Sequence, residues 1–381
     1  MNVDGKIKVV NSMTCPTPNG VSSFFIDTTK EFLEQGCEVL AIFPLINSRV
    51  LEELGRINDK NLTIAPVSRN KFKIVFQEWK LTHKFKPNLI FNHDLNRFYF
   101  YIAKILKIPV FCHIFGCGET KFHKFKNFIN FVFAAKQHQI QAIREYSGRI
   151  NVCYFPYCIN FKDSAVNKVK HNLFTIGCLG WFENRKGFEQ AILAAEILQK
   201  RGMKFQLLIG GDGLIRKKLE NLVEEKQLGD VCKFVGVVKN KAKFYNGLDL
   251  FCFTSWEEDV GLIVPEAISY GVPVVGNDVG FVSDLLDDND MLVLRAEDID
   301  DPEKYFRNGK YIKVWWALDN SNYRFKTKPL APEVLADGIE YAMKNYDDMV
   351  SRTRNAYRKL NNNYSIEKSI RKVLDIYRNV M

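Results

Sequence analysis

Two carboxylates, Glu258 and Glu266, frame a short apolar loop in the stretch EDVGLIVPEAISYGVPVV, which begins at position 258. The proline of this stretch fits the first turn of a helix. The backbone N–H groups of Gly261, Leu262 and Ile263 are therefore predicted to lie ahead of that helix, where they suit a diphosphate. In a plainer alternative, Glu266 is an ordinary first-turn acid and Glu258 a surface residue. The spacing favours a ligand that carries phosphate between two hydroxylated rings.

Two cations, Arg185 and Lys186, lie earlier in the chain, in the segment GWFENRKG between a predicted strand and a predicted helix. Anionic ligands bind beyond the carboxyl ends of strands in open α/β sheets. Solvated charge at a helix start is the alternative, and it is disfavoured because helix N-termini prefer acids. In the next strand-to-helix turn, GGDG, Gly211 is predicted to let the backbone approach a ligand closely, although a plain turn explains the same residues.

The composition is that of an ordinary globular protein. The 381 residues are 46% apolar and 26% charged, which suggests two domains or one large one. The nine cysteines form no CxxC pair, so we expect reduced, buried thiols and a cytoplasmic location. We expect no signal peptide, because a strand pattern starts at Lys6. No apolar run reaches the roughly 18–20 residues that span a bilayer.

The net charge of +10 is concentrated in the first half. Residues 1–165 contain 22 Lys and Arg against 13 Asp and Glu, a difference of +9. Such a half favours an anionic partner. The stretch 121–133 places Phe122, Phe125, Phe128, Ile129 and Val132 on one face of a predicted helix, which suits an interfacial helix on an anionic membrane. A core-facing helix is an almost equal alternative, and nucleic acid is less favoured because no nucleic-acid motif accompanies the charge.

The elements that must position these residues alternate between strands and helices. Strands are predicted at 7–11, 39–43, 88–92 and 109–113 with a helix at 21–35, and the pattern restarts after a polar linker at 163–172. We predict an α/β protein with two doubly wound domains, at 1–165 and 166–364, and a final helix at 365–381. An aromatic and basic stretch at about 300–330 is interpreted as an insertion.

The motifs resemble those of retaining glycosyltransferases of family 4, also described as glycosyl transferases group 1. Glu258-x7-Glu266, the following Ala267 and the segment Gly271-x-Pro-Val-Val carry the resemblance. It extends through LLIGGDG, KFVGVV and LDLFCFTS, and more loosely to PNGVSSFF and VFCHIFG. It implies the GT-B fold, in which two Rossmann-like domains face each other across a cleft. The first would be the acceptor-side domain, the second would bind a nucleotide-sugar, and the C-terminal helix would return to the first.

The resemblance also implies a role for each matching residue. Glu258 would contact the donor sugar, Glu266 would bind the ribose hydroxyls and Lys186 would hold the diphosphate. Gly20 would let the backbone approach donor phosphate or sugar, and His113 would lie at the sugar near the acceptor. These residues would form the catalytic and donor-binding set together with the loop glycines.

The chain departs from the family pattern at two positions. Gly-Arg is usual where this chain has Gly180-Trp181. That arginine normally pairs with the diphosphate, so Arg185 is the candidate substitute. Asp259 is an unexpected acid near an anionic donor, and nothing in the sequence explains it.

Together these residues predict a metal-independent, retaining hexosyltransferase that needs no cofactor. It would move a sugar from a nucleotide-sugar donor to a surface glycan or glycolipid, such as lipopolysaccharide or capsule, at the inner face of the cytoplasmic membrane. Arg185, Lys186 and backbone amides would stabilise the departing diphosphate without a metal, and the acidic run at 287–290 is interpreted as a surface turn. Two alternatives remain: a nucleotide-sugar epimerase, against which Glu-x7-Glu argues, and a catalytically weak nucleotide-sugar-binding protein, which Trp181 suggests.

Overall fold

The structure, a computed structural model, describes most of the chain as two units. It covers residues 6–15, 20–68, 70–93, 97–114, 125–137, 139–140, 143–144, 150–156, 170–258, 261–295, 316–318, 324–326 and 329–380. Asp259 and most of the predicted linker and insertion lie outside these residues. Unit 1 comprises Met1–Asn160 with Asn363–Met381, and unit 2 comprises Phe161–Asn362.

Unit 1 is built on a parallel sheet of seven strands in the order β3-β2-β1-β4-β5-β6-β7. The strands are β1 (Lys8–Met13), β2 (Glu38–Pro44), β3 (Leu62–Val67), β4 (Leu89–His93), β5 (Val110–Ile114), β6 (Phe131–Ala134) and β7 (Val152–Tyr154). The helices described in this part are α1 (Gly20–Glu34), α2 (Ser48–Gly55), α3 (Lys71–Phe85) and α4 (Arg97–Leu106). Buried apolar clusters cover the sheet, as the near-continuous apolar strands predict.

Unit 2 repeats this plan with six parallel strands in the order β10-β9-β8-β11-β12-β13. The strands are β8 (Phe174–Trp181), β9 (Phe205–Asp212), β10 (Cys232–Gly236), β11 (Leu250–Phe253), β12 (Val274–Asn277) and β13 (Leu292–Leu294), and a separate antiparallel hairpin joins β14 (Trp316–Leu318) to β15 (Arg324–Lys326). The helices described here are α5 (Phe188–Lys200), α6 (Arg216–Glu225), α7 (Lys241–Asn246), α8 (Ile263–Ser269), α9 (Phe281–Leu285), α10 (Pro332–Lys344) and α11 (Tyr346–Tyr364).

In both sheets the strand order reverses beside the first strand. β1 lies between β2 and β4, and β8 lies between β9 and β11. The carboxyl ends of strands at such a reversal are the usual ligand positions of open α/β sheets. The prediction of two doubly wound parallel sheets is confirmed, and it fixes where a site in each unit is to be sought.

The last helix, α12 (Ile366–Val380), lies where the final helix was predicted and has one apolar face. Ile366, Ile370, Val373 and Leu374 are buried on it. Within unit 1 the helix packs against α1. No helix among the described residues is long and apolar enough to cross a membrane.

The predicted interfacial helix at 121–133 is wrong in its described part. A 3₁₀ helix spans only Lys126–Phe128, and the chain then enters β6. Phe125, Ile129 and Val132 are buried in the core of unit 1 rather than exposed. A short run of apolar residues fits a doubly buried strand as well as a helix, and pairing of β6 with β5 and β7 decides the outcome.

Candidate active site

The loop after β8 is hydrogen-bonded to the loop after β11. A 3₁₀ helix spans Asn184–Lys186, and Gly187 follows it with φ +66°. A Cβ at Gly187 would lie 2.2 Å from the carbonyl oxygen of Thr254, so only glycine permits this approach. Thr254 Oγ1 donates to the carbonyl of Lys186 at 2.8 Å, and Trp256 Nε1 donates to that of Asn184 at 3.1 Å. These contacts hold the two cations beside the end of β11.

Lys186, Arg185 and Glu258 form one charged cluster at this strand reversal. Lys186 Nζ donates to Glu258 Oε1, and the two side chains are only 14% and 7% exposed. Arg185 Nη1 lies 3.9 Å from Glu258 Oε2 and donates to the carbonyl of Glu257 at 3.2 Å, while Nη2 meets Glu183 at 2.7 Å. The structure thus brings together residues that stand far apart in the sequence.

Glu258 is held ionised by its neighbours. Burial would raise the pKa of this carboxyl, but the charges of Lys186 and Arg185 and the Lys186 hydrogen bond outweigh burial and lower it. Burial lowers the pKa of Arg185, and Glu258 and Glu183 more than reverse that effect. The cluster therefore keeps the Glu258 carboxylate and the Arg185 guanidinium charged in a poorly solvated place, where electrostatic interactions are strong.

Gly261 lies next to the Glu258 side chain and has a left-handed backbone conformation. Its φ is +76°, and a Cβ there would lie 3.2 Å from the Phe253 ring and 3.7 Å from Glu258 Cγ. Leu262 is the N-cap of α8 and makes no side-chain cap hydrogen bond, and Ile263 is the first helical residue. The predicted loop, including the three residues whose backbone N–H groups were assigned to a diphosphate, adjoins the charged cluster.

Glu266 is oriented by two residues that the sequence reasoning missed. Lys241 Nζ donates to its Oε1, and the Tyr245 hydroxyl donates to its Oε2 at 3.1 Å. Tyr245 is fully buried and stacks on Tyr270, with ring centroids 5.2 Å apart. Burial, and then the Glu266 charge, raises the pKa of the Tyr245 hydroxyl, which stays a donor. A spacing of four residues, which puts Lys241 and Tyr245 on one face of α7, was the available signal.

The glycine turn after β9 has a packing explanation. Gly211 has φ +128°, and a Cβ there would lie 1.9 Å from the carbonyl oxygen of Gly180. Close pairing of β8 and β9 therefore already requires a glycine, and a ligand contact at Gly211 stays a prediction. Trp181, in register with Asp212, is 56% exposed at the end of β8.

The predicted residues of unit 1 lie in a different environment. His113, near the end of β5, is completely buried, and its Nε2 donates to the carbonyl of Phe155 at 2.9 Å. Its ring packs against Phe24 and Phe155, with centroids 5.0 and 5.2 Å away. Burial lowers the pKa of His113 to about 3, so the ring is neutral. Gly20 is exposed and is the first residue of α1.

The acidic run at 287–290 is tied into unit 2 by cations of α11. Lys359 Nζ lies 2.7 Å from Asp290 and 3.4 Å from Asp287. Arg352 donates to the carbonyl of Asp288 at 2.7 Å. Asp287 also accepts a hydrogen bond from the backbone of Asn289, as in a turn. Among the described residues, no group of three or more His, Cys, Asp or Glu side chains is arranged to hold a metal ion.

Comparisons with known proteins find relatives in sequence and in fold. Residues 160–307 match the family model described as glycosyl transferases group 1. The O-antigen biosynthesis glycosyltransferase WclY of Escherichia coli is 30% identical over 84 residues, 22% of this chain and 24% of that protein. The lipopolysaccharide core biosynthesis mannosyltransferase LpsB of Rhizobium meliloti is 29% identical over 132 residues, 32% of this chain and 38% of that protein. These matches span well under half of each relative.

The fold has a counterpart of the same length. A crystal structure of Anabaena HepE in complex with UDP-glucose superimposes with a TM-score of 0.73 over 98% of this chain and 100% of that one. At 15% identity this likeness shows the fold alone. The chain therefore has the GT-B fold, and its residues 160–307 are similar to the glycosyl transferases group 1 family.

Proposed function

We propose that this protein is a retaining glycosyltransferase of family 4 that uses a nucleotide-sugar donor. The observation that carries the proposal is the charged cluster of Lys186, Arg185 and Glu258 at the strand reversal of unit 2. An anionic diphosphate is the ligand that such a pair of poorly solvated cations suits. Glu266, fixed by Lys241 and Tyr245, would accept hydrogen bonds from the ribose hydroxyls.

The reaction follows from where charge develops. The bond between the anomeric carbon and the diphosphate oxygen would break, and the nucleoside diphosphate would leave with the electron pair. The acceptor hydroxyl would form the new bond on the same face and give its proton to a diphosphate oxygen. Lys186, Arg185 and the N–H groups of Gly261, Leu262 and Ile263 would stabilise the departing charge, and Glu258 would lie at the cation-like sugar. No metal ion or other cofactor is needed in this scheme.

Relatives support the class of substrate. HepE was crystallised with UDP-glucose, and the matched sequence relatives serve O-antigen and lipopolysaccharide core biosynthesis. A nucleotide-sugar donor and a surface-glycan or glycolipid acceptor are accordingly proposed here. His113 and Gly20 stay predictions as acceptor-side residues. Burial of His113 inside unit 1 favours its acting as a neutral hydrogen-bonding group rather than as a proton acceptor.

A bacterial-type cytoplasmic enzyme with this acceptor would work beside a membrane. Peripheral contact through the basic unit 1 is part of the proposal, supported by the excess of 22 Lys and Arg over 13 Asp and Glu in residues 1–165.

Incubation with radiolabelled nucleotide-sugars, with EDTA present, tests the function. We expect transfer to a lipid-linked or oligosaccharide acceptor, with the anomeric configuration of the product unchanged by NMR. Inversion at C2 or C4 of the donor sugar would instead identify an epimerase. Binding without turnover would identify a nucleotide-sugar-binding protein, and an inverted anomeric centre would overturn the retaining mechanism.

A further inference from the structure

Helix α3 exposes two large aromatic side chains. Phe76 and Trp79 are 64% and 39% exposed, although Ile74, Leu81 and Phe85 of the same helix pack against the core of unit 1. An amphipathic helix normally keeps its large apolar side chains on the core-facing side. Phe76 and Trp79 are therefore additional to the apolar face that stabilises the core.

Helix α4 continues this apolar surface. It packs beside α3, and Thr82 and the Tyr99 hydroxyl join the two helices at 2.6 Å. Tyr101 and Ile105 on α4 are 53% and 71% exposed. Two packed helices thus expose four large apolar side chains, named here the α3–α4 face. Exposed apolar groups that cluster in this way mark interaction sites more often than scattered ones do.

Five lysines lie on or just after the same two helices, and among the described residues no counter-ion pairs with them. They are Lys73, Lys80 and Lys84 on α3, Lys104 on α4 and Lys107 just after it. None of them forms an ion pair with a described residue. Elsewhere the helix surfaces pair their cations, as in Lys200–Glu196, Arg216–Glu220 and Arg371–Glu367. The lysines of this face are therefore available to an anionic partner.

A groove adjoins the face at the C-terminal end of α4. Its volume is about 260 Å³, and Lys104, Lys107, Phe128 and Asn130 are among the residues that line it. Lys104 Nζ lies 4.9 Å from the centre of the Phe128 ring, and the Tyr101 ring meets that ring at 5.1 Å. Cationic groups at an aromatic rim suit a phosphate head group joined to an apolar chain.

We propose that the α3–α4 face lies on an anionic lipid bilayer. Phe76, Trp79, Tyr101 and Ile105 enter the boundary between head groups and acyl chains, and the lysines of α3 and α4 contact lipid phosphates. The half-exposed rings and an aliphatic side chain 71% exposed favour lipid over nucleic acid, because acyl chains accept Ile105 and a phosphate backbone does not. This surface replaces the incorrectly predicted helix at 121–133, and it rests on the peripheral membrane contact of the proposed function, for which it names the residues.

Flotation of the full chain with lipid vesicles tests the proposal without any sugar substrate. We expect binding to mixed phosphatidylcholine–phosphatidylglycerol vesicles, weakened by salt, and little binding to pure phosphatidylcholine. The double variant Phe76→Ser/Ile105→Ser should lose about tenfold in vesicle affinity. Lys80→Gln/Lys84→Gln/Lys104→Gln should bind more weakly and with less dependence on salt.

A matched control exists in the same unit. Leu45 and Ile46 are 55% and 53% exposed in the turn after β2, so Leu45→Ser/Ile46→Ser removes similar apolar area away from the face. This variant should bind vesicles like the wild type, and thermal melts should show all variants folded. The proposal is overturned if the wild type does not bind anionic vesicles or if Phe76→Ser/Ile105→Ser binds as tightly as the control. It is equally overturned if RNA competes with vesicles for the face. Each result is independent of whether sugar transfer is found.

Discussion

The two units share one strand order but differ in what lies at the strand reversal. In unit 2 the position holds Lys186 and Arg185, each beside the carboxylate of Glu258. In unit 1 the described residues at this position form a buried network of neutral side chains, in which Asn11 Nδ2 donates to Thr29 at 2.8 Å and Asn11 Oδ1 lies 2.8 Å from His93 Nε2. The two units therefore share a topology, but their described side chains at the strand reversal differ in charge.

The largest expected effect comes from neutralising the charged cluster. Glu258→Gln keeps the side-chain shape but leaves Lys186 without its carboxylate partner. We expect kcat for sugar transfer to fall about 10²- to 10³-fold. Glu224→Gln, on the exposed surface of α6, is the control and should keep wild-type rates. A wild-type rate in Glu258→Gln would remove this residue from the site.

Acid should destabilise unit 1 at a higher pH than it destabilises unit 2. Burial lowers the pKa of His113 to about 3 and that of His93 well below 6.5. Unfolded histidines titrate near 6.5, so below this pH the unfolded state binds more protons than the folded state. The stability that depends on the neutral rings is fully present above pH 6.5. It is lost as the pH falls towards the folded values, by up to about 1.4 kcal/mol per pH unit for each histidine.

In unit 2 the loss of folding stability occurs at a lower pH than in unit 1. The pKa of Glu258 is lowered, so its contribution is present above the ordinary carboxyl range and disappears only as pH falls through the folded value. Hydrogen exchange followed by mass spectrometry between pH 7 and 5 should therefore show unit 1 losing protection first. His113→Asn should flatten this pH dependence, and His83→Gln, on the exposed side of α3, should not. Equal loss in both units would contradict the contrast.

A smaller effect is expected at the ribose position. Lys241→Met and Tyr245→Phe each remove one group that orients Glu266. We expect each to lower the preference for a ribonucleoside diphosphate over its 2′-deoxy analogue by roughly tenfold, because a mobile carboxylate recognises the hydroxyl poorly. Isothermal titration with both nucleotides measures this preference. If Lys241→Met and Tyr245→Phe keep the wild-type preference for the ribonucleotide while Glu266→Gln loses it, Glu266 binds the ribose. That result would contradict the role of Lys241 and Tyr245 in orienting it.

The smallest expected effect is a gain in affinity for the nucleotide-sugar donor. Trp181→Arg places a cation next to Gly180, where a Cβ would lie 4.0 Å from Lys186 Cδ. We expect donor affinity to rise about threefold to tenfold, with Trp181→Phe as the neutral control. Donor affinity equal in the two variants would show that position 181 does not contact the diphosphate.

Local signals in the sequence were sufficient for the fold and for the charged cluster. Strand periodicity located both sheets, and the rule that ligands bind at strand ends assigned Arg185 and Lys186 to an anion. The family resemblance implied that Glu258 lies at the same donor. The residues that orient Glu266 were not predicted. Their four-residue spacing places Lys241 and Tyr245 on one face of α7, but it does not show that this face lies beside Glu266 of α8. The stretch 125–133 was misjudged for a related reason: its apolar side chains fit either period, and sheet pairing alone decided. Burial of His113 likewise depends on Phe24 and Phe155, which are distant in sequence.

The central claim, that the charged cluster of unit 2 binds the diphosphate of a nucleotide-sugar donor, is tested most directly by nucleotide titration. Calorimetry with UDP, GDP, ADP and dTDP should find a ligand that binds saturably to the wild type. Lys186→Met should weaken that ligand at least about tenfold, and Lys204→Met, at an exposed lysine of the same unit, should not. Equal affinity in the wild type and Lys186→Met would contradict the claim.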